Sequence, residues 1–404
     1  MTLLHPRTEP APVDTREAEA LIREARRLRR RRWTVGLLVA AVVGAGIGWA
    51  VAIVAHGPST PTTRVPQNHV ISRNSRPGLP EGPYTNLTVA GPLAVAPNGD
   101  LYVADVDREQ VLVRLPDGRF RAVAGDGKKG VSGDGGPAID AEFLDIADMA
   151  VAPDGTLYVV DGDRVRAVSP NGVISTVAGT PGMRTPPQCD CAITLPPPIV
   201  TGTPALSVSI DQQNSAAIAL NEQGVLYIST GVQLLRLDAG TLDVVATSAI
   251  GPSYDRQPLN NLGQIAVDAQ GNIIVSGGYG WSIWRVAPGG TATEVTGKDW
   301  NARRSGGNTS VLERAPGGLV YGEAGSTFLK LQGNRSVPAY SFPDTQRSYF
   351  WLTYFAFAPD GTMYADEIPG NSGFERYQQL RVVRDDRSSV LWQQTSADVP
   401  PIAS

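Results

Sequence analysis

Six times along the chain a short run of small and β-branched apolar residues is followed by a glycine-containing turn and then a second apolar run. The clearest copy is Met149-Ala-Val-Ala-Pro-Asp-Gly-Thr-Leu-Tyr-Val-Val-Asp161. Such runs read as two antiparallel strands, because Pro presets φ in the turn and Gly takes the positive φ that other residues resist. Aligned on the turn glycine, the copies are Leu93 to Asp105, Met149 to Asp161, Ile218 to Thr230, Ile265 to Gly277, Leu312 to Ala324 and Phe355 to Glu367.

Three residues after each glycine stand Tyr102, Tyr158, Tyr227, Ile274, Tyr321 and Tyr364, one large residue at one structural position. The glycines at 99, 155, 224, 271, 318 and 361 are 56, 69, 47, 47 and 43 residues apart. That spacing straddles the roughly 40 to 50 residues of a four-stranded propeller blade. A single unit can bury its apolar face only against the next, so six should close into a ring.

The residues Leu93-Ala-Val-Ala-Pro-Asn-Gly-Asp-Leu-Tyr-Val-Ala-Asp105 resemble the NHL repeat, as does the second copy followed by Arg164-Val-Arg166. The glycine-rich connection from Val123-Ala-Gly-Asp-Gly127 through Ser132-Gly-Asp-Gly-Gly-Pro-Ala138 is similar to that of bacterial and teneurin-type NHL propellers. Copies 3 to 5 depart from the Tyr-Val-Ala-Asp pattern, with Thr230, Gly277 and Ala324 in place of the acid. The resemblance implies an all-β fold, a six-bladed NHL-like β-propeller, here preceded by a single transmembrane α-helix. It is also similar to the outer sensor domain of NHL receptor kinases, although the short N-terminal segment is too small for a kinase.

The anchor is read from the apolar pattern. Residues 33–55 contain no charge and are long enough to cross about 30 Å of hydrocarbon. Before them, residues 1–32 read as helix from Asp14, with Asp14 and Glu17 at capping-box spacing, and end in Arg26-Arg-Leu-Arg-Arg-Arg-Arg32. A basic cluster on that side favours a cytoplasmic N-terminus and an extracytoplasmic C-terminal domain at the cell membrane. The competing reading is a signal peptide cleaved after Ala50-Val-Ala52, which the length of the apolar stretch argues against. Gly36, Ala40, Gly44, Gly48 and Ala52 form one small-residue stripe, a candidate homodimer face. Residues 56–84 form a Pro/Ser/Thr-rich stalk, 85–397 the propeller and 398–404 a tail. Within the stalk, Asn68 to Ser72 could instead be a strand that closes the ring.

Charge and composition then narrow the chemistry. Residues 1–32 carry 9 Arg and 5 acids, so the formal charge of −4 for the whole chain leaves −8 for the rest. An acidic ectodomain offers no electrostatic footprint for nucleic acid. His5, His56 and His69 all precede the propeller, so no histidine-based triad or metal site can be built within the ring. Enzymes on related propellers that lyse antibiotics or amidate peptides use histidines, and that likeness brings no catalytic residue here. Cys189 and Cys191, the only cysteines, lie in the longest connection and read as a local disulfide on the oxidising side, with an interchain bond as the alternative.

In a blade with strands A to D, the A-to-B and C-to-D turns share one face. These turns are short here, as in Pro116-Asp-Gly118 and Pro170-Asn-Gly172, while extra length falls in the D-to-A connections. Insertions on one face mark a binding face. Its candidate residues are Tyr254, Tyr279, Trp281, Trp300, Tyr349, Trp351, Phe374, Arg376 and Tyr377, suited to a protein or envelope ligand. The glycine-rich segment around Asp126 and Asp134 lacks the oxygen pattern of a calcium loop and reads as structural. The leading expectation is a binding or sensing module without a cofactor. A calcium-dependent hydrolase or lyase using channel carboxylates Asp105, Asp161, Asp366 and Glu367 is the alternative, and a structural envelope component is the third reading.

Overall fold

A computed structural model describes residues 84–181, 197–210, 216–247, 262–277, 282–295, 311–324, 327–341, 351–368, 378–385 and 387–394. These form six radial antiparallel sheets joined in sequence order into a ring. Blade 1 holds β1 (Tyr84–Thr85), β2 (Ala90–Val95), β3 (Leu101–Asp105), β4 (Gln110–Arg114) and β5 (Phe120–Ala124). Blade 2 holds β6 (Ile146–Val151), β7 (Leu157–Asp161), β8 (Arg164–Val168) and β9 (Ile174–Gly179). Blade 3 holds β10 (Thr203–Pro204), β11 (Ala217–Leu220), β12 (Leu226–Ser229), β13 (Gln233–Asp238) and β14 (Thr241–Thr247).

Blade 4 holds β15 (Ile265–Val267), β16 (Ile273–Gly277), β17 (Ser282–Val286) and β18 (Ala292–Glu294). Blade 5 holds β19 (Leu312–Ala315), β20 (Leu319–Ala324), β21 (Thr327–Gln332) and β22 (Arg335–Ser341). Blade 6 holds β23 (Trp351–Phe357), β24 (Met363–Ile368), β25 (Gln379–Arg384) and β26 (Arg387–Gln393). Strand A of each blade lies innermost, touching strand A of both neighbours.

The expected turns form as the sequence requires. The turn glycines 99, 155, 224, 271, 318 and 361 all have positive φ, which glycine adopts without steric cost. Side chains of adjacent sheets interdigitate to make the core. Between blades 1 and 2, Ala94, Val113 and Val123 pack with Phe143, Met149 and Val159. Each such large apolar side chain contributes about 1.5–3 kcal/mol on full burial. In five blades the C-to-D pairing carries a register shift near the start of strand C, a bulge that sharpens twist.

Blade 6 takes all four strands from one stretch of chain, so ring closure needs no strand from the N-terminal side. Instead β1 pairs with β5 and widens blade 1. The 6-to-1 seam is closed by side chains. Ala90 N donates to Gln378 Oε1 at 2.8 Å, Gln378 Nε2 donates to the Ala90 carbonyl at 2.5 Å, and Gln394 Nε2 donates to the Thr88 carbonyl at 3.3 Å. Asn68 to Ser72 lies outside the described residues. No helix among the described residues is long and apolar enough to cross a membrane, and residues 33–55, with the stripe Gly36, Ala40, Gly44, Gly48 and Ala52, lie outside them.

Candidate functional site

The glycine-rich connection that follows β5 forms a strap whose Gly135–Ala138 stretch is laid along the outer rim of blade 2. Gly135 N donates to the Ile174 carbonyl at 2.8 Å, Ile174 N to the Gly136 carbonyl at 3.1 Å, and Ala138 N to the Gly172 carbonyl at 2.7 Å. Pro137 bridges Val173, so the strap acts as a fifth strand on its own blade. Thr203–Pro204 pairs in the same way against β14 in blade 3. The extra length of both segments is spent at the rim, where it covers a sheet edge that would otherwise expose unpaired backbone.

One buried cation fixes the strap. The Arg166 side chain has no exposed surface, yet it donates from Nε and Nη2 to Asp134 Oδ1 at 3.1 and 2.7 Å. It also donates to the carbonyls of Glu142 at 2.6 Å and Ser132 at 3.0 Å, and its guanidinium lies 5.2 Å from the Phe143 ring centre. Asp134 in turn accepts from Thr176 N at 3.1 Å and Thr176 Oγ1 at 2.6 Å. Burial raises the Asp134 carboxyl, but the hydrogen bonds from Thr176 and Arg166 outweigh it and hold the group below the usual range. Lys128, Lys129, Val131 and Ser132 are displayed on the outside of this clamped segment.

The carboxylates at the ends of strands B are staples. Asp105 accepts from Thr88 N at 2.9 Å and Thr88 Oγ1 at 2.6 Å. Asp161 accepts from Leu144 N at 2.6 Å and Asp145 N at 3.3 Å, and from Arg164 at 2.9 and 2.7 Å. Each acid thus ties down the segment leading into strand A of its own blade, at the same sequence offset. In blade 6, Asp366 Oδ2 accepts from Gln378 Nε2 at 2.8 Å, while the side chain of Glu367 lies outside the described residues. Among the described residues no group of three or more His, Cys, Asp or Glu is arranged to hold a metal.

Two acids near the ring centre went unrecognised in the sequence. Asp148 of β6 and Glu313 of β19 lie on innermost strands of blades 2 and 5, which stand opposite one another in a six-membered ring. Asp148 Oδ2 accepts from Ile218 N in blade 3 at 2.8 Å, and Oδ1 accepts from Met149 N at 2.8 Å. Burial pushes the Asp148 carboxyl up to about 7 against the pull of those two amides. Burial, and then the charge of Asp148, push Glu313 well above the carboxylate range, with Arg314 opposing. Both side chains nevertheless keep some accessible surface, so water moderates the cost of ionising them. A signal was present for Glu313: the position five residues before the turn glycine is Ala94, Ala150, Ala219, Ala266 and Ala356 in the other five blades.

A cleft of about 360 Å³ opens on the face of the tight turns, between blades 2 and 3. It is lined by Tyr158, Gln223, Gly224, Arg236, Asp238 and Gly240, among others, and Arg236 is paired with Asp243 at 2.6 Å. Tyr254, Tyr279, Trp281, Trp300, Tyr349, Phe374, Arg376 and Tyr377 lie outside the described residues, as do Cys189 and Cys191. Trp351 opens β23, where its backbone pairs with Ile368.

Comparison with known proteins adds a likeness to one family. The family model for the Teneurin NHL domain matches residues 119–297. Teneurin-3 of Mus musculus is 30% identical over 155 residues, 35% of this chain and 6% of that protein. Teneurin-m of Drosophila melanogaster is 33% identical over 101 residues, 22% of this chain and 4% of that protein. The chain therefore spans a small fraction of these relatives. Among solved structures, a virginiamycin B lyase from Staphylococcus aureus is similar at a TM-score of 0.44 and 10% identity, over 76% of this chain and 85% of that one. A gluconolactonase from Xanthomonas campestris gives 0.39 and 14%, over 76% and 86%.

Proposed function

We propose, from the premise that this chain is an NHL-repeat propeller, that it serves as a binding or sensing module held at the outer side of a cell membrane by residues 33–55. The observation that carries the reading is the strap of residues 125–147. Its exposed residues are held in one shape by a fully buried arginine, and a preorganised exposed segment loses little conformational entropy on binding. The B-strand acids Asp105 and Asp161 are occupied in holding the lead-in segments, which favours binding over carboxylate chemistry at those positions. The partner is a protein or another envelope component that meets the strap and the loop face.

Crosslinking in intact cells tests this reading. Lys128→Glu with Val131→Asp changes the displayed surface while leaving Asp134 and Arg166 in place. Loss of specific crosslinked partners from the doubly substituted protein, at unchanged abundance, is the expected result. An identical partner set from both proteins would refute the strap as the contact surface. Protease protection in spheroplasts tests the orientation: the propeller should be digested from outside and residues 1–32 protected.

A further inference from the structure

The seam between blades 1 and 2 is closed by a buried carboxylate at the place where the seam between blades 6 and 1 is closed by an amide. Gln378 and Glu109 are equivalent residues, each immediately before the third strand of its blade, β25 (Gln379–Arg384) and β4 (Gln110–Arg114). Each reaches the first residue of the innermost strand in the next blade. Gln378 reaches Ala90 and Glu109 reaches Ile146, which stand nine positions before Gly99 and Gly155 respectively. Gln378 accepts from the Ala90 amide and also donates to the Ala90 carbonyl. Glu109 Oε2 accepts from Ile146 N at 3.1 Å, but an ionised carboxylate has no proton to donate in return. The residue is 2% exposed, so its charge needs a counter-ion.

That counter-ion comes from the strap. Lys129 Nζ lies 2.8 Å from Glu109 Oε1, while the lysine side chain as a whole is 65% exposed. Burial pushes the Glu109 carboxyl up, and the hydrogen bond from Lys129 is the largest of the influences that pull it back. Among the described residues no other cation pairs with Glu109, and Asp107 and Asp145 add only negative charge nearby. The backbone around Lys129 is held independently of its side chain: Lys129 bridges Phe143, and Gly130 N donates to the Phe143 carbonyl at 3.0 Å. The adjacent Lys128 is paired elsewhere, with Asp126 at 2.7 Å.

We propose that Lys129 couples the strap to the joint between blades 1 and 2, so that the displayed surface and the seam open and close as one unit. Lys129 is a positioning residue, which acts on the Ile146 amide through the Glu109 carboxylate. Without the ammonium, Glu109 is left buried and without a charged partner, and opening of the seam relieves this by hydrating it. The penalty of leaving such a group unpaired, reduced for the exposure of the lysine, corresponds to a rise of about 5- to 30-fold in the opening constant. An ammonium has three donors and Glu109 takes one, so an acceptor on a partner can meet Lys129 without displacing it. Because coupling between sites is reciprocal, such a partner also tightens the seam, a consequence that rests on the strap being the contact surface.

Hydrogen exchange of the Ile146–Val151 segment tests the coupling in the full-length chain without any partner, at neutral pH and under conditions where exchange reports the opening equilibrium. Lys129→Met should accelerate exchange there about 5- to 30-fold. Glu109→Gln makes this seam chemically like the one closed by Gln378, and in that background Lys129→Met should change exchange by less than about twofold. Lys128→Met, which removes the adjacent charge, should leave the segment as it is. An acceleration below about twofold in Lys129→Met alone would overturn the proposal. So would an equal acceleration in the two backgrounds, or an equal one from Lys128→Met. Because the free protein is measured, failure here leaves the crosslinking test of the strap untouched, and an unchanged set of crosslinked partners leaves the coupling standing.

Discussion

Replacing Asp134 by alanine tests whether the strap is held by one charged group. The carboxylate accepts two bonds from Arg166, at 3.1 and 2.7 Å, and two from Thr176, at 3.1 and 2.6 Å. Hydrogen bonds involving a charged group contribute about 1.5–3 kcal/mol each when sheltered. The Asp134 side chain is 41% exposed, so solvent screening reduces that considerably. Arg166 also retains the carbonyls of Glu142 and Ser132 and the Asp161 carboxylate at 3.6 Å, so it is not left without partners. The expected loss is about 2 kcal/mol, read as a lower urea midpoint at unchanged slope. Arg166→Met should cost more, about 3 kcal/mol, because it removes the donor shared by the bonds to Asp134, Glu142 and Ser132. The double substitution should be less destabilised than the sum by about 1 kcal/mol or more. Trypsin supplies a local readout at Lys128 and Lys129, where cleavage should accelerate in Asp134→Ala. An unchanged midpoint together with unchanged cleavage would refute the clamp.

Other expectations follow from the same contacts. Gln378→Leu removes two bonds to Ala90 and one to Asp366 at the 6-to-1 seam and should lower stability by about 2–4 kcal/mol, measured by urea unfolding. Gly179→Ala should abolish folding or cost more than about 3 kcal/mol, judged by soluble yield and melting. Its φ is 90°, and an added Cβ would lie 2.4 Å from both the Asp163 carbonyl oxygen and the Arg164 Cα. Stability against pH should be dome-shaped. Asp134, held low, contributes stability above 3.8 that is lost as pH falls through its folded value, whereas Asp148, held high, contributes stability that is lost as pH rises toward about 7. Melting temperatures from pH 3 to 9 should therefore peak in mild acid, and a monotonic curve would contradict one of the two signs.

The strands, the turns and the count of six blades were legible because each depends on residues close in sequence. Pro-Asp-Gly closes a hairpin wherever it stands, and small or β-branched runs fit a sheet buried on both faces. The position three residues after each turn glycine likewise announced a repeated environment. The same reading named Asp105, Asp161 and Asp366 as candidate channel acids. Strand ends converge on the ring, but which way a side chain leans is settled by what meets it. Thr88 and Leu144 took up two of these acids, and Gln378 took up the third.

Tertiary structure decided the rest. Closure of the ring joins Ala90 to Gln378 across 288 residues, a contact that no local pattern encodes. Asp148 looks like an ordinary strand residue until the ring places its strand and that of Glu313 on opposite sides of one channel, where burial sets both acids apart. The glycine-rich strap could be recognised as a connection from its composition, but its place on the rim depends on Arg166 and Thr176, which come from strands formed after it in the chain. Sequence thus determined the repeating unit, whose energetics are local. Only closure of the ring determined which charges are buried, because burial depends on neighbours supplied by other blades.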